Sequence, residues 1–176
     1  MLGPRGWSCA GIAGSDGAGL FLSPNTIHPK EVLSDKYRKV SGPFIEKWVS
    51  EGETSGRFEV AGIVARYFPK QMQIMRKIIV DQNLQSMDDY PRGPYPADRE
   101  LVRNDTIAEY LTPSKKQGLG TSGCMRPDVE PVRSVAILFP GAPPSSVVVS
   151  VRMSTVLADL APIIIRETKR QYANAR

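Results

Sequence analysis

The sequence predicts an α-rich α+β fold of about four or five helices, one C-terminal β-hairpin and long extended arms rich in glycine and proline. Three observations carry that expectation. Several segments repeat apolar residues at helical spacing and are bounded by Pro and Gly. Only two runs, 132–139 and 146–152, read as strands. The 15 glycines and 15 prolines among 176 residues exceed the usual combined share of about 12%.

Residues 1–28 form the first predicted region, an extended arm. Gly3, Gly6, Gly11, Gly14, Gly17 and Gly19 raise the entropic cost of any regular structure there. Residues 29–111 read as a helical region. "PKEVLSDKYRKV" (29–40) opens with Pro at a first helical position and stops before Ser41-Gly42-Pro43. "PFIEKWVSEG" (43–52) sets Phe44, Ile45 and Trp48 on one side and ends at Gly52. In "TSGRFEVAGIVARYF" (54–68), Val60, Ile63, Val64 and Tyr67 recur at helical spacing. In "PKQMQIMRKIIVDQNLQSM" (69–87), Met72, Met75, Ile78 and Ile79 make an apolar stripe.

A proline-rich strap at 88–96 interrupts this region, because Pro91, Pro94 and Pro96 exclude a helix and favour extended backbone. Another helix is expected over "ADRELVRNDTIAEYL" (97–111). Residues 112–131 form a basic glycine-rich linker. Residues 132–176 then supply the hairpin, with "PGAPPS" as its loop, and a C-terminal helix interrupted by Pro162. A lone hairpin is marginal in water. The run Val147-Val148-Val149 suits a strand buried on both faces. From this sequence the missing cover is expected from another polypeptide.

Function follows from composition and from what the motifs lack. A net charge of +5 favours an acidic partner. The expected partners are other protein subunits of a hetero-oligomeric assembly, with nucleic acid second. Peripheral membrane association also fits, since no apolar run reaches the length that spans a bilayer. Cys9 and Cys124 are too few and too far apart for a disulfide framework or a zinc site. "AGSDGAGL" (13–20) lacks the Gly-Lys-Ser/Thr ending of a phosphate loop. His28 is the single histidine, which excludes His-based triads. Cys124 has only Arg126 nearby to activate it, and Asp88-Asp89 and Glu51/Glu53 read as solvated turn residues. No catalytic, cofactor-binding or metal-binding residues are expected, and no cofactor.

Two stretches are binding candidates. In "YPRGPYP", Tyr90, Arg92 and Tyr95 combine side chains enriched at interfaces with backbone that is already extended. The competing reading is a connector whose tyrosines pack on the chain's own core. In the linker, Lys115, Lys116 and Arg126 are candidate contacts for a phosphate backbone. The sequence thus predicts a non-enzymatic structural subunit of a large multiprotein assembly, such as a peripheral subunit of an organellar energy-converting complex. An organelle interior, mitochondrion or plastid, is the expected location. The alternative is an RNA-contacting structural protein, either an organellar ribosomal subunit or a viral coat protein.

Overall fold

A computed structural model describes residues 2–28, 40–81 and 86–173. Its fold corrects the α-rich expectation. The described residues form a seven-stranded, wholly antiparallel sheet with three α-helices. The strands are β1 (Ser8–Gly14), β2 (Gly17–Ser23), β3 (Phe44–Ser50), β4 (Arg99–Arg103), β5 (Ile107–Thr112), β6 (Val132–Phe139) and β7 (Ser145–Arg152). The helices are α1 (Arg57–Tyr67), α2 (Met72–Asp81) and α3 (Leu160–Ala173). The sheet order is β1-β2-β3-β7-β6-β5-β4, so two meanders meet where β7 pairs with β3.

The expected N-terminal arm is the hairpin β1–β2, in seven-pair register from Ser8↔Ser23 to Gly14↔Gly17. Its glycines serve packing here. A Cβ at Gly17, where φ is +139°, would lie 1.9 Å from the Val49 carbonyl oxygen. One at Gly19 would meet the Phe21 ring at 2.7 Å. Residues 43–52 hold strand β3 where a helix was expected. Phe44, Glu46 and Trp48 face one side and Ile45, Lys47 and Val49 the other, and both faces are covered. A doubly covered strand carries no apolar alternation, so its spacing mimics a helix. Residues 97–111 likewise form β4 and β5, turning at Asn104. The Asn104 Oδ1 accepts from the Thr106 and Ile107 amides at 3.0 and 2.8 Å, a local bond that favours a turn over a helix.

The helical stripes of 54–68 and 69–87 do form α1 and α2, the latter described to Asp81 after a 3-10 turn at Pro69–Gln71. The helix expected over 29–40 lies outside the described residues except for Val40. The C-terminal helix begins at Leu160, with Pro162 in its first turn where a missing N–H costs little. The β6–β7 hairpin is present, but its cover comes from this chain: β5 flanks β6 and β3 flanks β7.

The core has two faces. On one, α1 and α2 place Val60, Val64, Tyr67, Met75 and Ile79 over Ala108, Tyr110, Ala136 and Leu138. The rest of that face is closed by residues 113–131, which bring Cys124 and Met125 against Phe21 and Phe44. On the other face, Ile164 and Ile165 of α3 pack on Ile45, Val135, Ile137, Val147, Val149 and Val151. Glu109, buried in β5, ties α3 to the sheet by bonds to Arg133 at 2.6 Å and Lys169 at 2.5 Å.

Residues 113–131, within the expected basic glycine-rich linker 112–131, are closely tied down. Arg152, fully buried at the end of β7, donates to three main-chain carbonyls. These are Gly42 at 2.5 Å, Val40 at 2.7 Å and Arg126 at 2.7 Å. Asp128 accepts from the Gly42 amide at 2.8 Å, and Asp98 accepts from the Leu119 amide at 2.8 Å. Beside Arg152 lies Glu46, 1% exposed, whose carboxylate accepts from the Cys124 amide at 2.7 Å and the Trp48 indole at 3.4 Å.

Candidate functional site

The strap after α2 is docked on the end of α1. It starts with a 3-10 turn at Met87–Asp89 and turns sharply at Gly93, where φ is +77°. The Gly93 amide donates to the Ala65 carbonyl at 3.2 Å, and Arg66 donates back to the Gly93 carbonyl at 3.2 Å. The Arg66 guanidinium also lies 3.9 Å from the centre of the Tyr95 ring, a stacked cation–π contact. Tyr95 and Tyr90 are both partly buried against the α1–α2 core. Of the three residues expected to bind a partner, the two tyrosines pack inward on this chain. Arg92 alone stands at the surface, bonded to Asp88 at 2.7 Å.

This docking creates a groove of about 440 Å³ between α1, α2, the strap and the end of β4. Ala65, Pro69 and Met72 give it an apolar floor. Four guanidinium groups line it: Arg66 from the last turn of α1, Arg76 from α2, Arg92 from the strap and Arg103 from β4. Guanidinium groups stay charged at any accessible pH and present flat, forked donors that match carboxylate and phosphate oxygens. Among the described residues Asp88 is the single carboxylate in the lining. Arg103 sits 3.7 Å from Glu100 just outside it. The positive charges are therefore partly offset and in excess, and two arginines are held in place by their own contacts.

The hydroxyls beneath the strap are held neutral. Burial raises the Tyr67 phenol far above its usual range, with Asp98 and Tyr95 adding to the effect. Burial and a 2.8 Å bond to Glu100 push Tyr110 up to about 12. Neither ionises near neutral pH, so neither adds a base to the groove. Burial pushes the Glu46 carboxyl up to about 7. It lies under residues 123–125 and not in the groove. Cys124 is buried beside it, and neither cysteine forms a disulfide. Among the described residues no group of three or more His, Cys, Asp or Glu is placed to hold a metal ion. Among the described residues the groove lining brings together Arg66, Arg76, Arg92 and Arg103 with Asp88 and an apolar floor.

Lys115, Lys116 and Arg126 are exposed and none of them lines this groove. Their backbone is fixed: Lys115 adopts φ of +59°, and its amide donates to the Asp128 carbonyl at 2.7 Å. His28 is exposed, while Glu51 accepts from Ser145 at 3.3 Å across the β3–β7 end of the sheet. Arg66, Arg76 and Arg103 were not singled out in the sequence. They lie on three different elements and no spacing pattern links them, although Arg66 at a helix end and Tyr95 in the strap were each visible alone. No helix among the described residues is long and apolar enough to cross a membrane. No protein-family model matches this chain, and no curated protein or solved structure matches it significantly.

Proposed function

We propose that this chain is a non-catalytic accessory subunit of a multiprotein assembly, docking through its arginine groove on an acidic segment of a neighbouring subunit. The observation that carries the reading is the convergence of Arg66, Arg76, Arg92 and Arg103 on one groove with an apolar floor. Such a site suits a short peptide that alternates carboxylates with an apolar side chain. Pre-positioning supports it as well, since Arg66 and Arg92 are already held by Tyr95, Gly93 and Asp88 and lose less freedom on binding. The setting that goes with this proposal is the periphery of an organellar energy-converting complex, where a basic subunit meets acidic faces of its neighbours.

RNA is the weaker partner on the same grounds. A nucleic-acid track needs a run of cations along several phosphates and open aromatic faces for stacking. Here Tyr95 has its face covered by Arg66, and Asp88 and Glu100 interrupt the basic rim. The test is fluorescence anisotropy with two probes, a labelled Glu/Leu peptide and a labelled oligouridylate. The expected result is peptide binding that the double variant Arg76→Glu/Arg92→Glu weakens at least about tenfold, in line with arginines at interface hot spots. Tight oligouridylate binding with a salt slope of several phosphates would favour RNA instead. Peptide binding indifferent to both substitutions would remove the groove from the reading.

A further inference from the structure

Asp88 and Arg92 stand four positions apart on the strap, are bonded to each other at 2.7 Å, and both line the arginine groove. The main chain on either side of the pair is fixed. The Asp88 amide donates to the Ser86 hydroxyl at 3.2 Å and the Asp89 amide to the Ser86 carbonyl at 3.2 Å, at the 3-10 turn Met87–Asp89. Just past Arg92, the Gly93 amide is anchored on the Ala65 carbonyl. The Arg92 guanidinium thus already holds a carboxylate, and that carboxylate is the chain's own. Arg66 and Arg103 are held differently. Arg66 is placed by the Gly93 carbonyl and the Tyr95 ring, neither of which competes with an anion, and Arg103 meets Glu100 outside the lining. Asp89, next along the strap and also exposed, does not line the groove.

We propose that Asp88 is a built-in competitor for Arg92, so that an acidic segment enters the groove by exchange of carboxylates, displacing Asp88 into solvent. This rests on the groove being the docking site for such a segment. The Asp88 and Arg92 side chains are 72% and 69% exposed, so a displaced Asp88 is hydrated at once and the exchange meets no large desolvation cost. An exposed ion pair favours contact by about two- to fivefold. That is weak enough for a ligand to overcome and strong enough to lower its affinity measurably. A ligand carboxylate that takes Arg92 trades one contact for an equivalent one and gains little there. The net attraction comes from the guanidinium groups that Asp88 does not contest. Asparagine at this position keeps an oxygen that accepts from Arg92 and removes the competing charge. It therefore separates the placing of Arg92 from the competition for it.

The experiment is fluorescence anisotropy of the purified full chain with the labelled Glu/Leu peptide, at about physiological salt so that remote charges are screened. Asp88→Asn tightens peptide binding about two- to fivefold. Asp89→Asn, the same change of net charge one residue along, alters it by less than about 1.5-fold, since Asp89 does not line the groove. In an Arg92→Gln background Asp88→Asn has no more effect than Asp89→Asn, because the contested guanidinium is gone. The proposal is overturned by Asp88→Asn binding no tighter than wild type, by an equal gain from Asp89→Asn, or by a gain that survives in Arg92→Gln. Each of those outcomes leaves the groove standing as a docking site. Peptide binding by neither wild type nor Asp88→Asn overturns the docking site itself, and the role of Asp88 with it.

Discussion

Replacing Glu46 by glutamine should flatten the dependence of stability on pH. The carboxyl is buried between the sheet and residues 123–125, and burial raises it from 4.5 in the unfolded chain to about 7 in the fold. The Cys124 amide, the Trp48 indole and nearby Arg152 oppose that rise without cancelling it. Because the folded state holds this proton more tightly, its contribution is fully present below pH 4.5. It is lost as pH rises through about 7, and the loss levels off above that value. The interval between the two values corresponds to about 3 kcal/mol of stability withdrawn by pH 8.5 or so. Glutamine is nearly isosteric, keeps an oxygen to accept the Cys124 amide, and does not titrate. The assay is urea denaturation of wild type and Glu46→Gln at several pH values from about 4.5 to about 8.5, taking the difference in stability at each. That difference should move by about 3 kcal/mol in favour of the variant as pH rises. A difference that stays constant across the range would show that Glu46 does not titrate inside the fold, and the account of its burial would fail.

Two further outcomes follow from other buried contacts. Arg152→Leu removes the donors of three main-chain carbonyls and leaves them buried, and should cost about 3–5 kcal/mol in urea denaturation, with earlier hydrogen exchange in residues 119–126. A loss below about 1 kcal/mol would mean that water replaces those bonds readily. Tyr95→Ala should lower stability by about 2 kcal/mol, because it opens space beside the α1–α2 core and frees Arg66, whereas Arg92→Ala at the surface should change it by less than about 0.5 kcal/mol. Equal effects of the two would contradict the inward packing of the strap.

Legibility in the sequence tracked how one-sided each element is. α1 and α2 cover the sheet with one face each, so their apolar stripes were readable. The β6–β7 hairpin was readable from its β-branched runs and its Pro-Gly loop. β3 was not, because Ile45 and Phe44 are buried on opposite faces and the period-two signal vanishes. β1 and β2 were hidden by glycines that read as entropy but act through close contact, Gly17 against Val49 and Gly19 against Phe21. The turn at Asn104 was within reach, since an Asn-Asp-Thr run between two apolar stretches is a hairpin signal. Of the groove, Arg92 was singled out from local composition. Arg66 was not, for its meeting with Tyr95 joins residues 29 positions apart. Glu46 and Arg152 lie on strands whose pairing across the sheet no local pattern foretells.

The β3–β7 junction also bears on how this chain can be made. Phe44 pairs with Arg152, so β3 is made well before β7, the strand that pairs with it. Until then β3 offers an open, largely apolar edge. Pairings this distant are slow to form, and exposed strand edges are where nascent chains associate wrongly. A ribosome stalled between β3 and β7 would hold a half-sheet with no local partner. This places the heaviest demand for chaperone protection on the interval between the synthesis of β3 and that of β7.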